Sequence, residues 1–138
     1  MSFRLSDEDW GFVYSRVPRL CVDALLIKDG KVLLSRRAVE PYKHKWNLPG
    51  GTVYYGESLE QALVRNVKQE VNVDVLSSRL FDTCEFSSPH VVSLVFKVDD
   101  FDGDIRCGWQ TSEVKWFDFD CIPEDMVEQQ KLLLGVHD

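Results

Sequence analysis

The chain has 138 residues with a net charge of −7, and 44% of them are hydrophobic. This length suits a single domain over residues 1–138 that buries roughly two thirds of its unfolded surface. The negative charge argues against a nucleic-acid partner, because no basic stripe would offset phosphate repulsion. No apolar run approaches a membrane span and the N-terminus lacks a signal-peptide pattern, so we expect a soluble, cytoplasmic protein with no membrane partner. The four scattered cysteines have no metal-type spacing and predict free thiols.

The N-terminal third predicts a helix followed by a β-hairpin. Ser6 precedes three acidic residues, which suit the positive end of a helix dipole. We therefore predict a helical arm within residues 1–16, with a frayed arm as the alternative. Two β-rich runs, residues 20–27 and 31–35, are separated by Lys28-Asp29-Gly30, which is a strong hairpin signal.

Charged residues on these two strands are candidates for ligand contacts. Asp23 lies among apolar neighbours, where a carboxylate needs a partner. The alternative is an aspartate that faces solvent from an edge strand. Arg36 and Arg37 end the second strand, and two guanidinium groups there can clamp a diphosphate. The alternative is a solvated pair of surface arginines.

A Gly50-Gly51 turn leads through a loop into the best-defined predicted helix. Ser58 and Gln61 form a capping-box pattern at its start. Apolar residues at spacings of three and four then give it one inward face. These residues are Leu59, Ala62, Leu63, Val67 and Val71.

A separate face of the same helix carries three side chains with oxygen atoms. Asn66, Gln69 and Glu70 lie three and four residues apart, so they share that face. Oxygen donors beside a close-approach glycine turn suit a hard cation such as Mg²⁺ that carries a phosphate.

The rest of the chain predicts strands and a closing helix. Residues 73–86 are β-type segments broken by Ser77-Ser78, and residues 90–98 form another strand. The acidic residues 99–104 predict a solvated loop, since they lack the terminal glutamate of an EF-hand. A helix is predicted over residues 122–135, entered by a proline near its first position.

The stretch around the glycine turn resembles the Nudix box, G-x5-E-x7-R-E-U-x-E-E-x-G-U, in which U is apolar. The matching residues are Gly51, Glu57, Arg65, Val67, Glu70 and Val73. Asn66, Gln69 and Asn72 depart from it, standing where the family usually has Glu, Glu and Gly. The order of elements is compatible with an α+β fold or an α/β/α sandwich. The resemblance selects the Nudix-type α/β/α sandwich, with a mixed β-sheet between helices.

A box with these losses is similar to that of the GDP-mannose mannosyl hydrolases, which use one Mg²⁺ and cleave at the sugar carbon. Amides coordinate weakly beside carboxylates, so we expect one cation, Mg²⁺ or its substitute Mn²⁺, and no base on the helix. The resemblance implies that Glu70, the Gly50 carbonyl and Gln110 hold this cation.

The same resemblance implies the substrate contacts. Arg37 corresponds to an arginine that approaches the phosphates, and Asp23 and His90 correspond to residues that meet the substrate. His90 has the alternative of a histidine at the edge of a strand.

The catalytic assignments are less direct. Arg37 and Arg65 are expected to stabilise negative charge on the leaving group, unless Arg65 is engaged in an ion pair with Glu57. The general-base histidine of the mannosyl hydrolases is replaced by Thr111 here. Glu113 is the candidate for a substitute base, with a residue that faces solvent before a strand as the alternative.

Three functions follow. The leading one is a Mg²⁺-dependent hydrolase of a nucleoside diphosphate linked to another moiety, best a nucleotide sugar such as GDP-mannose cleaved at the sugar carbon. The second is cleavage at phosphorus, as in ADP-ribose or nucleotide pyrophosphatases, with Glu57, Glu60 or Glu113 as the base. The third is a nucleotide-binding module without turnover. The nucleobase, the sugar and the oligomeric state, including a homodimer, stay open.

Overall fold

A computed structural model describes residues 3–135. This part of the chain contains three α-helices: α1 (Asp7–Tyr14), α2 (Leu59–Val71) and α3 (Glu128–Leu134). The strands are β1 (Arg19–Lys28), β2 (Lys31–Arg37), β3 (Trp46–Asn47), β4 (Gly50–Thr52), β5 (Asp74–Ser87), β6 (His90–Asp102) and β7 (Thr111–Asp118). A 3₁₀ turn, Phe119–Cys121, follows β7.

The seven strands form one mixed sheet. Its main order is β3-β2-β1-β6-β5, with β4 paired to β1 and β7 paired to β2. The pairing of β1 with β6 is parallel, whereas its pairings with β2 and β4 are antiparallel. β1 therefore lies at the centre of the sheet, which confirms the predicted mixed topology.

Two apolar clusters cover the two faces of the sheet. One contains the buried residues of α2, among them Leu63 and Val67, packed on Val22 and Leu26 of β1. The other contains residues of the C-terminal segment, among them Leu133, packed on Leu25 and Trp46. The sheet thus lies between α2 and α3, as the predicted sandwich requires.

Helix α2 begins and ends as its sequence predicts. Ser58 Oγ accepts from the Gln61 amide at 3.1 Å, and Gln61 Oε1 accepts from the Ser58 amide at 2.9 Å. The four inward residues after Leu59 are fully buried, whereas Leu59 is 36% exposed. Asn72 ends the helix with a φ of 60°, a left-handed conformation that glycine and asparagine adopt most easily. This explains why asparagine replaces the family's glycine here.

The N-terminal predictions are also confirmed. The Asp9 amide donates to Ser6 Oγ at 3.2 Å, and α1 follows directly. Asp29 and Gly30 have φ values of 53° and 74° between β1 and β2, as a tight hairpin requires.

The C-terminal helix is shorter than predicted. It begins at Glu128, whereas the prediction placed its start at residue 122. The preceding residues pair with β3 instead, because the Trp46 amide donates to the Asp125 carbonyl and the Val127 amide donates to the Trp46 carbonyl. This non-local pairing holds the segment extended.

Two loop predictions are corrected in the long β5–β6 hairpin. Residues 99–102, predicted as part of an acidic loop, continue β6 because they pair with β5 as far as Asp102↔Asp74. The predicted break at Ser77-Ser78 is a shift of register within a continuous β5.

Two further findings concern residues 3–135 as a whole. None of the helices there has both the length and the hydropathy needed to cross a bilayer. All four cysteines are free thiols, as predicted.

Candidate active site

A cavity of about 420 Å³ opens where the start of β1, the end of β2, β4 and α2 converge. Its inner wall carries Asp23, Arg37, Gly50, Asn66 and Glu70. α1 and the segment before β7 close it from outside with Trp10, Trp109 and Gln110. The sequence-predicted cation ligands thus border one space together with Asp23 and Arg37.

Two glycines allow this convergence. A Cβ atom on Gly50 would collide with the Asp23 side chain and the Val22 carbonyl. A Cβ atom on Gly51 would collide with Asn66 Oδ1. Strand β4 therefore approaches both β1 and α2 more closely than any larger residue would permit.

Glu70 is a carboxylate without a cationic partner. Within residues 3–135 no Lys, Arg or His lies within ion-pair distance of it. Glu70 Oε2 accepts a long hydrogen bond from the Gly50 amide at 3.4 Å. Burial raises the pKa of Glu70 to about 8, against the opposing effects of the Gly50 amide and the Arg37 charge. A desolvated, unpaired carboxylate at a cavity wall suits a bound cation.

The cavity offers few carboxylate ligands for a cation. No group of three or more His, Cys, Asp and Glu residues in the described part of the chain could hold a metal ion. Asn66 faces Glu70 across one helical turn, but its Nδ2 donates to the carbonyls of Ala62 and Thr52 at 2.9 and 3.2 Å. Besides Glu70, the oxygen atoms that line the cavity include the Gly50 carbonyl, the Gln110 amide and the Asp23 carboxylate.

Asp23 is buried and held from two sides. Its Oδ2 accepts from Ser93 Oγ in a short hydrogen bond, and from Gln130 Nε2 at 3.2 Å. Burial raises the pKa of Asp23 to about 6, while Ser93, Arg37 and Gln130 lower it. The alternative of an exposed aspartate on an edge strand is wrong, because β1 is central in the sheet.

The two arginines at the end of β2 make different contacts. Arg37 faces the cavity, and its Nε donates to the Pro41 carbonyl at 2.5 Å. Burial lowers the pKa of Arg37, although Glu70 opposes this effect. Arg36 instead forms ion pairs with Glu113 and Asp125 at 3.6 and 3.5 Å.

Three residues considered from the sequence do not border the cavity. Glu113 is exposed beside Arg36, His90 is exposed at the turn between β5 and β6, and the Thr111 hydroxyl donates to the Trp109 carbonyl at 3.2 Å. Pro89 and Val91 line the cavity on either side of His90, but His90 itself does not.

Arg65 is also outside the cavity lining. It makes a bidentate ion pair with Glu57 and donates from Nη2 to the Thr52 carbonyl at 2.8 Å. Of the two roles considered for Arg65, the structure shows the ion pair.

Sequence reasoning missed Gln130, which connects α3 to the site. Its Oε1 accepts from the Leu48 amide at 2.8 Å and its Nε2 donates to Asp23. The signal available in the sequence was an amide residue close to the apolar residues of α3, and in the structure Gln130 is buried with them.

The chain resembles known proteins in both sequence and fold. The NUDIX domain family pattern matches residues 17–134. A protein named ADP-ribose pyrophosphatase from Methanocaldococcus jannaschii is 34% identical over 122 residues, covering 84% of this chain and 71% of that protein. The low-salt glycan biosynthesis protein Agl8 of Haloferax volcanii is also 34% identical, over 125 residues, covering 83% and 80%. The crystal structure of a MutT NUDIX hydrolase from Burkholderia pseudomallei superposes with a TM-score of 0.82 at 25% identity, covering 87% of this chain and 98% of that one.

Proposed function

Since the chain belongs to the NUDIX domain family, we propose that this Nudix hydrolase is Mg²⁺-dependent and cleaves a nucleoside diphosphate linked to another moiety. A nucleotide sugar such as GDP-mannose, attacked at the sugar carbon, is the leading substrate. The observation that carries the proposal is the unpaired Glu70 carboxylate, which shares a cavity with the Arg37 guanidinium.

One Mg²⁺, replaceable by Mn²⁺, would be held by Glu70 with the Gly50 carbonyl and the Gln110 amide as further oxygen donors. When bound, this cation would neutralise part of the diphosphate charge. Helix α2 has lost two of the box glutamates, at Asn66 and Gln69. A site with fewer cations suits a reaction in which the diphosphate leaves intact, because phosphorus then needs no activation.

Arg37 is proposed to bind the diphosphate and to stabilise the charge that develops on it as it leaves. Its guanidinium has no carboxylate partner within residues 3–135, so it is available for a phosphate oxygen. Arg65 supports the site indirectly, through its ion pair with Glu57.

Asp23 is proposed to contact the substrate and to accept a proton from it or from the attacking water. A carboxylate whose pKa is about 6 can take a proton near neutral pH. His90 and Glu113 receive no role in this proposal, since neither lines the cavity.

Turnover of a substrate panel tests the proposal. GDP-mannose, other nucleotide sugars and ADP-ribose are incubated with the enzyme and Mg²⁺, and products are followed by phosphorus NMR. Glu70→Gln should lower turnover roughly 100-fold or more, because it removes the charged cation ligand. Glu60→Gln, an exposed change on the first turn of the same helix, should keep wild-type activity. Full activity of Glu70→Gln would contradict the cation site, and binding without turnover across the panel would favour a nucleotide-binding module.

A second candidate is cleavage at phosphorus of an ADP-ribose-type substrate. The relative from Methanocaldococcus jannaschii, named ADP-ribose pyrophosphatase, supports it. With Glu113 exposed and Glu57 paired to Arg65, Asp23 is the buried carboxylate left in the cavity to serve as a base beside Glu70. Labelled oxygen from water in the phosphate products would decide for this reaction.

A further inference from the structure

We propose that Arg19 binds a phosphate group of the substrate, so that Arg19 and Arg37 together form a two-arginine anion site. That this anion belongs to a nucleoside diphosphate rests on the proposed function. The anion site itself rests on the contacts of Arg19.

Arg19 begins β1 and lines the same cavity as Arg37 and Glu70. Its Nε is buried and has no hydrogen-bond partner among the residues that the structure describes. It forms no ion pair within residues 3–135. A buried, unsatisfied donor on a charged group is costly, and an anion that drew the guanidinium toward the cavity would supply the missing acceptor.

Aromatic rings hold the Arg19 guanidinium in place. Its central carbon lies 5.3 Å from the ring centre of Trp10 and 5.9 Å from that of Tyr14, both on α1. Such cation–π contacts favour the positive charge without using its N–H groups as donors to an acceptor. Helix α1 therefore positions Arg19, and the neighbouring Cys21 thiol interacts with it only as a weak hydrogen-bond partner. A phosphate oxygen is a stronger acceptor.

The nearness of Arg37 points to the charge of that ligand. Arg19 is close enough to Arg37 to act on its charge: burial lowers the pKa of Arg37, Glu70 raises it, and the Arg19 charge lowers it. Two guanidinium groups near each other, with no ion pair for either, repel unless an anion lies between them. Arg4, also at the cavity, is different because it pairs with Asp7 at 3.3 Å.

The carboxylates that line the cavity do not take the place of an anion between Arg19 and Arg37. Asp23 is held by Ser93 and Gln130, and Glu70 is the proposed cation ligand. The other two carboxylates that line the cavity are also engaged, because Asp7 pairs with Arg4 and Glu40 accepts from the Lys43 amide at 3.2 Å. Because α2 can hold few cations, a diphosphate needs positive charge from elsewhere in the cavity. Arg19 and Arg37 would supply it.

Calorimetric titration with inorganic pyrophosphate in EDTA tests the assignment without turnover or metal. Arg19→Gln should weaken pyrophosphate binding roughly 10- to 100-fold, as expected for loss of charge-assisted hydrogen bonds. Arg37→Gln should weaken it similarly. The matched control is Arg36→Gln, because Arg36 is paired with Glu113 and Asp125 outside the cavity; it should bind within about twofold of wild type.

Thermal unfolding checks that each variant is folded. If Arg19→Gln does not fold, Arg19→Lys keeps a cation near Trp10 but loses the guanidinium fork, and it should still weaken pyrophosphate binding severalfold. Folded variants that bind pyrophosphate as wild type does, or a wild-type protein that does not bind it, would overturn the proposal. A third outcome separates the two proposals. If the Arg19 variants lose pyrophosphate binding but the wild-type protein turns over no substrate in the panel, the anion site stands and the proposed hydrolysis is contradicted.

Discussion

Glu57 and Arg65 form a bidentate ion pair, in which Arg65 Nε and Nη2 donate to the two carboxylate oxygens at 2.7 and 2.8 Å. The same guanidinium lies 3.6 Å from the ring centre of Tyr54. The Tyr54 amide also donates to Glu57 at 2.7 Å. These contacts fix the loop between β4 and α2 against the helix, so the pair shapes the cavity from outside it.

Breaking this pair should destabilise the fold. Glu57→Gln leaves Arg65 without its counter-charge in a site where the two side chains are 6% and 21% exposed. We expect a loss of about 1–3 kcal/mol in the free energy of unfolding, measured with urea. The control is Asp74→Asn in the exposed Lys68–Asp74 pair, which should cost roughly 0–1 kcal/mol. Equal losses in the two variants would contradict the structural role.

The pair should also make stability depend on pH in the acid range. The hydrogen bond from Arg65 is the main cause that lowers the pKa of Glu57 below its ordinary value of 4.5. Its stabilising contribution is therefore fully present above pH 4.5 and is lost as the pH falls through the lowered pKa. Unfolding measured from pH 7 to 3 should show a smaller acid loss in Glu57→Gln than in wild type. An unchanged acid loss would count against the pair.

Restoring one box glutamate should restore a second cation. Asn66 lines the cavity with Glu70, whereas Gln69 is exposed and accepts from Arg65 Nη1 at 3.2 Å. Asn66→Glu should raise the Mn²⁺ bound per chain from one to two, counted by electron paramagnetic resonance. Gln69→Glu should leave it at one. The reverse pattern would mean that the cation lies elsewhere.

The same Asn66→Glu change should lower stability in the absence of metal. Its carboxylate cannot donate to the carbonyls of Ala62 and Thr52, which Asn66 Nδ2 now satisfies. Divalent cations should restore part of the loss.

Features set by neighbouring residues could be predicted from the sequence. The capping box of Ser58 and Gln61, the Asp29-Gly30 turn and the glycine turn at β4 all depend on local conformation. By contrast, the sequence could not predict the central place of β1 or the burial of Asp23, because both depend on pairing with a strand about 70 residues later in the chain.

Other features that depend on contacts between distant parts of the chain could not be predicted from the sequence either. The late start of α3 follows from its contact with Trp46, and the contact between Gln130 and Asp23 joins opposite ends of the chain. His90 was assigned from its position along a family pattern, and Glu113 from its nearness in sequence to Thr111. That position does not tell which face of the sheet a strand residue occupies.

Gln130 should matter for both stability and turnover. Gln130→Leu leaves the Leu48 amide and Asp23 without their buried partner. This should cost roughly 1–3 kcal/mol in unfolding free energy and should lower turnover, since Asp23 lines the cavity. Leu132→Ala, at a position that is 70% exposed, is the control on the same helix. If a folded Gln130→Leu protein turned over substrate as fast as wild type, Gln130 would have no role in positioning Asp23.

With Mg²⁺ at a saturating concentration, so that the cation keeps Glu70 ionised, Asp23 should control the acid limb of the rate. Because Asp23 must be deprotonated to accept a proton and its pKa is raised to about 6, turnover should rise with pH up to about that value. A bound cation would move this limb lower. Asp23→Asn should lower kcat by roughly 10²- to 10⁴-fold and abolish the limb. Asp9→Asn, on the exposed face of α1, should leave the profile unchanged, and an acid limb that persists in Asp23→Asn would assign it to another group.

The most direct test of the proposed reaction is the position of labelled oxygen after hydrolysis of GDP-mannose in oxygen-18 water with Mg²⁺, read by phosphorus NMR and mass spectrometry. Attack at the sugar carbon predicts unlabelled GDP and labelled mannose, with both products absent in Glu70→Gln. Label in a phosphate product would contradict carbon attack and assign the chain to phosphorus chemistry.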